Sequence, residues 1–185
     1  AGVVGFRKLW DRQGAQARTS ARALYADLAT AALNAPLYEQ GAAQDTFEGR
    51  AAMITANATL VMWRLKRIDT PLARKIAERL NGLVLDGFDA AYRELGVGDS
   101  SIARKVRKLA EIHYGLGKAL TEALNTPQSD RIGSVTDCVK RNAVSQDGKA
   151  SLLAAYLLHN AGRFEAVEDN DVLAGKLAWT LPGAD

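Results

Sequence analysis

The sequence predicts an all-α fold, a single compact domain of six or seven helices. Three observations carry this. Alanine supplies 33 of the 185 residues and proline only four, a composition that favours helix and offers few breakers. Apolar residues recur at i, i+3, i+4 and i+7 along most of the chain. No run alternates apolar and polar residues as a half-buried strand would. At 48% hydrophobic and 24% charged, the chain has enough apolar surface to offset its ordering entropy.

The elements follow in order. Residues 1–15, with Gly2, Gly5 and Gly14, read as a flexible lead-in, and residues 16–182 as the helical domain. A helix over 17–33 places Ala21, Leu24, Tyr25, Leu28, Ala31 and Ala32 on one stripe. Asn34 to Gln44 reads as a loop broken by Pro36 and Gly41. Asp45 stands three residues before Glu48, the spacing of a capping arrangement. The helix it would open, over 47–67, carries Ile54, Ala58, Val61, Leu65 and Ile68 on one face, with Met53, Leu60 and Trp63 beside them. So wide an apolar face predicts the central, most buried helix, with Trp63 and Met53/Met62 as core.

Thr70-Pro71 is an N-cap followed by proline at the first helical position. The helix over 71–94 has the stripe Ala73, Ile76, Ala77, Leu80, Leu83, Val84, Gly87, Phe88 and Ala91. Gly96 and Gly98 end it, and Asp99-Ser100 is expected to cap the next helix, over 100–125. That helix turns Ile102, Val106, Leu109, His113, Leu116, Leu120 and Leu124 inward. Thr126-Pro127 repeats the Thr-Pro start signal. Ile132, Val135, Val139 and Asn142 give a helical stripe, Ser145 to Gly148 a loop, and 149–161 a further helix. Val172, Leu173, Lys176 and Leu177 suggest a short final one.

Several function classes fall away on residue inventory. Nucleophilic catalysis wants a Ser or Cys beside a His positioned by a carboxylate, and no such constellation is evident. Cys138, His113 and His159 are the only thiol and imidazoles, too few for a thiolate zinc site. His113 falls on an apolar stripe and reads as a satisfied core histidine; Cys138 reads as a small buried residue. Gly96-Val97-Gly98-Asp99-Ser100 lacks the preceding strand and the lysine of a phosphate loop. We therefore expect no enzyme activity, no metal, no cofactor and no small-molecule substrate. No apolar run approaches the roughly 20 residues needed to span a bilayer. Gly2 to Leu9 lacks the apolar core of a signal peptide, and a single cysteine fits a reducing compartment, so a cytoplasmic location is expected.

Charge is uneven. Residues 1–118 hold 18 Lys+Arg and 12 Asp+Glu, whereas residues 119–185 hold 6 and 9. Arg104, Lys105, Arg107 and Lys108 form one basic cluster, Arg64, Lys66 and Arg67 a second, Arg74, Lys75 and Arg79 a third. The ordinary reading is a solvated face. The sharper one is an electropositive face for an anionic partner, whether nucleic acid or a membrane surface. Neither a helix-turn-helix nor an aromatic RNA platform is evident, so no specific nucleic acid is expected. Phe6-Arg7-Lys8-Leu9-Trp10 is a short amphipathic patch suited to an interface.

Specific strings then point further. Asp45-Thr46-Phe47-Glu48-Gly49-Arg50 opens the central helix, and Glu94-Leu95-Gly96-Val97-Gly98-Asp99 precedes the basic one. Lys105 to Glu111, Tyr114-Gly115, Arg141-Asn142, Leu153 to Tyr156, and Gly175 to Trp179 with Pro182 follow. Together these resemble the ubiquinol–cytochrome c chaperone family, the bacterial relatives of the mitochondrial assembly factor for cytochrome b. The resemblance covers about residues 20–182, with departures at Gly117 and Ala51-Ala52. It implies a non-enzymatic chaperone that binds newly made cytochrome b and supports biogenesis of respiratory complex III. The ribosome and an anionic membrane surface are further expected partners, with a peripheral position at the inner face of the cytoplasmic membrane. The alternative is a basic helical protein that binds nucleic acid or the ribosome.

Roles for the matched residues follow as expectations. Asp45 caps the central helix, Phe47 staples the entering loop, Gly49 allows close helix approach, and Arg50 pairs with an acidic side chain such as Asp99. Alternatively Arg50, Asp99 and Tyr114 border a partner-binding surface, together with the basic face of Arg104, Lys105, Arg107 and Lys108.

Overall fold

Eight helical segments and no strand occur in the computed structural model, which describes the backbone of residues 2–182 and the side chains of residues 5–182. They are α1 (Gly2–Ala32), α2 (Ala35–Glu39), α3 (Phe47–Ile68), α4 (Pro71–Glu94), α5 (Asp99–Leu124), α6 (Arg131–Arg141), α7 (Ala150–Glu165) and α8 (Asp169–Leu173). Six are long, whereas α2 and α8 have five residues each. The all-α expectation holds.

Helix α3 is the axis of the molecule and packs against α1, α4, α5, α7 and α8. Its apolar face is so wide that Met53, Ala58, Leu60, Val61, Trp63 and Leu65 are all buried. A helix with no solvent face must also bury polar side chains, and each needs a partner. Asn57 accepts from the Tyr156 hydroxyl of α7 at 2.7 Å. Thr59 bonds back to the Thr55 carbonyl at 2.7 Å. Arg64 donates to the Phe164 and Val167 carbonyls at 2.8 and 2.7 Å, where α7 ends and its last acceptors lack helical donors. Its third contact is Asp169, at 2.7 Å in the first turn of α8. The basic cluster expected at Arg64, Lys66 and Arg67 therefore does not form a surface. Arg64 is buried, and Arg67 lies on the Trp63 ring and beside Glu165.

Helix starts differ from expectation in instructive ways. The cap of α3 is Thr46, whose hydroxyl accepts from Gly49 N–H at 2.9 Å. Asp45 instead accepts from Arg50 at 2.8 Å. Gly49 is required by a different neighbour from the one expected. A Cβ there would collide with the Gln44 carbonyl, so the close approach is loop against helix. Thr70-Pro71 opens α4 as expected, with Thr70 Oγ1 accepting from Ala73 N–H. Gly98, not Asp99 or Ser100, occupies the N-cap of α5, and Asp99 is its first residue. Thr126-Pro127 opens no helix. The Thr126 hydroxyl donates back to the Ala123 carbonyl at 2.6 Å, and α6 begins only at Arg131.

Two segments read as irregular are helical. Pro36 sits in the first turn of α2, where a missing N–H is harmless. The lead-in expected over residues 1–15 is helical from Gly2 onward, continuous with α1. Isolated glycines cost a helix only about 1 kcal/mol each. Trp10 also gains a partner on α4, the Lys75 ammonium 3.5 Å from its ring centroid. Loops 40–46 and 142–149 knit together. Gln44 N–H donates to the Val144 carbonyl, Gln146 N–H to Gly41, and the Ser145 hydroxyl to Ala42.

Removing the guanidinium should leave the Val167 carbonyl without a donor and the Phe164 carbonyl with only its backbone donor. Arg64→Ala is expected to cost about 3 kcal/mol in a denaturant-unfolding titration, against about 0.5 kcal/mol or less for exposed Arg104→Ala. Equal costs would show that α7 is held by apolar packing alone.

Candidate functional site

Among the described residues no group of three or more His, Cys, Asp or Glu side chains could hold a metal ion. His113 has a structural explanation. Its Nδ1 lies 2.8 Å from the Thr55 hydroxyl and its Nε2 2.9 Å from Asn81 Oδ1. The Thr55 hydroxyl donates to Nδ1, and Nε2–H donates to the amide oxygen. Asn81 then donates its own NH₂ to the Tyr114 hydroxyl at 3.0 Å. Burial pushes the imidazole below its usual range, since the charged form loses hydration. This is a neutral histidine bridging α3, α4 and α5. Cys138 is likewise buried, and burial pushes its thiol up, away from the nucleophilic thiolate.

The main apolar concavity lies elsewhere, between α1, α3 and α4. It has a volume of about 520 Å³. Tyr25, Leu33, Ile54, Phe88 and Leu95 supply its apolar lining, and Arg50 and Glu94 its charges. Small residues make the concavity possible. Ala29, Ala51, Gly87 and Ala91 keep the helix surfaces low where the three helices meet. A Cβ at Gly87 would strike the Tyr25 hydroxyl, so that glycine lets the ring lie across α4. Leu33 and Leu95 are 49% and 63% exposed, an unusual concentration of bare aliphatic surface beside one groove.

Two of the expected site residues, Arg50 and Lys105, lie at or beside this groove. Arg50 stands in the first turn of α3, paired with Asp45, and its guanidinium lies 5.8 Å from the Tyr38 ring. Phe47, one turn earlier, stacks on Tyr92 of α4 with centroids 4.7 Å apart. Lys105 of α5 in turn reaches the other part of that aromatic pair, 5.9 Å from the Tyr92 ring. The groove and the start of the basic helix are thus joined through Phe47 and Tyr92. Arg104, Lys105, Arg107 and Lys108 are all exposed, and none takes part in an ion pair among the described residues.

Other expectations are redistributed. Asp99 does not meet Arg50; it pairs with Arg93 at 2.6 Å, where the guanidinium also holds Asp89. Tyr114 is 55% exposed, and its hydroxyl is tied to Asn81, further along α5 than the groove. The third basic cluster is partly absorbed, Arg74 by Asp69 and Lys75 by Trp10. Sequence reasoning missed the groove residues Leu33, Ile54 and Leu95 as a set. The available signal was the pair of large aliphatics, Leu33 and Leu95, each placed where a helix ends just before Asn34 or Gly96.

Comparison with known proteins agrees with this architecture. The sequence profile of a family described as Ubiquinol-cytochrome C chaperone matches residues 39–179. The fold superposes on a crystal structure of the Cbp3 homolog from Brucella abortus with a TM-score of 0.78. The two are 24% identical, over 95% of this chain and 96% of the other. No curated protein sequence gives a significant match.

The neutral His113 makes a pH prediction with a definite sign. Below about 6.5 the unfolded chain takes up a proton that the folded state resists, so stability falls as pH falls. Wild-type unfolding free energy should drop between pH 7 and pH 5.5 by no more than about 1.4 kcal/mol per pH unit beyond the drop in His113→Gln. Identical pH slopes in the two proteins would show that the imidazole titrates freely.

Proposed function

This chain belongs to the ubiquinol-cytochrome C chaperone family, and from that premise we propose that it binds newly made cytochrome b and supports assembly of respiratory complex III. The observation that carries the reading, beside the family match, is the apolar groove between α1, α3 and α4. A membrane protein that has not yet met its partners exposes apolar helices to water. A chaperone for it needs a concave apolar surface that receives a helix face through side chains spaced at i, i+3, i+4 and i+7. Leu33, Ile54, Phe88 and Leu95 suit that contact, and the small residues beneath them suit a closely approaching backbone.

Arg50, Glu94 and the α5 cations have a second task in this reading. Rim charges seldom add much affinity, but they steer encounter and fix orientation. The face of Arg104, Lys105, Arg107 and Lys108 guides the chaperone to an anionic neighbour, the ribosome or the inner membrane surface. Asp99 and Tyr114 lie on the same helix as these cations and flank the approach. The work is binding without covalent chemistry, and it needs neither cofactor nor small-molecule substrate. No helix among the described residues is long and apolar enough to cross a membrane, so the contact proposed with the bilayer is peripheral.

One observation favours a second reading. Four exposed cations without ion pairs on one helix also suit a nucleic acid or the ribosome. Salt separates the two. Phosphate contacts lose affinity with a log–log slope of about −0.7 to −0.9 per contact, whereas an apolar client leaves a salt-resistant component.

The test is a cross-linked pull-down from the protein's own cells, with partners quantified by mass spectrometry. Wild type should enrich cytochrome b over other membrane proteins. Leu33→Glu with Leu95→Glu, both at exposed positions, should lower that capture about tenfold or more, since it sets charge against an apolar helix. The quadruple change of Arg104, Lys105, Arg107 and Lys108 to Glu should slow capture and reduce its salt sensitivity. Ribosomal proteins enriched without cytochrome b would overturn the chaperone reading in favour of the second.

A further inference from the structure

The first turns of α1 carry an apolar ridge that the groove and the basic helix do not use. Phe6, Leu9 and Trp10 stand at i, i+3 and i+4, on one helical face, and are 72%, 58% and 59% exposed. This face is the outward continuation of the stripe through Ala17, Ala21, Leu24 and Leu28, which is buried. The reason it becomes bare is geometric. Trp10 meets Lys75 and Tyr25 meets Gly87, so α1 and α4 run parallel. Helix α4 begins at Pro71, only one turn before Lys75. Pro71 therefore lies level with residues 6–9, so the first turns of α1 run beside and past the very start of the helix that covers the rest of the stripe.

Charge identifies what this ridge faces. On a helical projection Arg7 and Arg12 flank the ridge on its two sides, while Lys8 and Asp11 lie behind it. Arg7, Lys8 and Arg12 are exposed and form no ion pair among the described residues. An aromatic-aliphatic ridge with arginines at both edges matches a bilayer surface. Phe, Leu and Trp enter the boundary between headgroups and acyl chains, and long cationic side chains reach back to the phosphates. A second copy of this chain would bring the same cations against one another. We propose that residues 6–12 of α1 seat the protein on an anionic lipid bilayer, with Phe6, Leu9 and Trp10 inserted and Arg7 and Arg12 on lipid phosphates. This anchor is independent of what the groove binds, and it is separate from the basic face of α5.

Trp10 reports on it directly, because Trp63 is buried and Trp179 is half-buried. Purified protein is mixed with phosphatidylglycerol vesicles or with phosphatidylcholine vesicles, and flotation and tryptophan emission are read together. Wild type should float with the anionic vesicles and shift its emission to the blue. F6S/L9S, which keeps the reporter, should lose vesicle affinity by about tenfold or more, since two large apolar side chains no longer insert. R7E/R12E should lose a comparable amount and drop to the level seen with phosphatidylcholine.

Equal vesicle affinity of wild type and F6S/L9S would overturn the proposal, as would flotation without a shift of emission. A wild-type dimer that F6S/L9S converts to monomer, with no flotation of either, would assign the ridge to self-association. Loss of cytochrome b capture by F6S/L9S in detergent, with vesicle affinity unchanged, would assign it to the client. Failure of the groove reading leaves the vesicle result untouched, so the two proposals fail separately.

Discussion

A helix whose middle is buried on every side dictates the rest of this structure. Between residues 51 and 65 helix α3 has no exposed position, so each polar side chain buried there must be met by a partner. Three of those groups fix two neighbouring helices. Thr55 reaches His113 and so sets the rotation of α5. Asn57 accepts from Tyr156 and sets the height of α7. Arg64 takes the terminal carbonyls of α7 and fixes where that helix stops. Apolar packing alone tolerates sliding by a turn; directional bonds at three heights along one helix do not.

The outer surfaces inherit that order. The groove exists because α1 and α4 are held against one side of α3 at positions where Ala29, Ala51, Gly87 and Ala91 carry almost no side chain. Larger residues there would fill the concavity from below. The basic face exists because α5 spends its inward stripe on Ile102, Leu109, His113, Leu116, Leu120 and Leu124. Its cations are then left on the exposed side, where none forms an ion pair among the described residues. Phe47 and Tyr92 connect the two surfaces, so the groove end of α3 and the start of α5 form one continuous region.

The fold class and the long helices were legible because they rest on periodicity, which local sequence states outright. Predicted and observed limits of α3 and α4 agree within a residue, and the Thr70-Pro71 start is present. The failures share a cause: each concerns a local signal that a distant contact overrides or reuses. Asp45 has the spacing of a cap, but Thr46 lies closer to the free N–H groups and Asp45 finds Arg50. Thr126-Pro127 has the composition of a start, but its hydroxyl closes the helix before it. Arg64 looks like one of three surface cations, and only the fold shows which of them faces inward. The site residues were half legible. Arg50 lines the groove and Lys105 reaches Tyr92 beside it, while Asp99 pairs with Arg93 and Tyr114 with Asn81. Leu33, Ile54 and Leu95 come from three helices, and no spacing within one segment joins them.

Placing the α5 cations beside the apolar groove, not inside it, would have a physical consequence under the proposed reading. Electrostatic attraction acts over about 8–10 Å at ordinary salt and governs the rate of encounter. Apolar contact acts only on touching and governs how long the partner stays. Under the proposed reading the two rates would be set by different residues, Arg104, Lys105, Arg107 and Lys108 for encounter and Leu33, Ile54 and Leu95 for retention. A holding chaperone benefits from that division. It can arrive fast at an anionic neighbour without gripping the client so strongly that transfer stalls. A groove with only a few exposed aliphatics also limits the apolar area that closes on binding, which keeps release within reach of a better-fitting assembly partner.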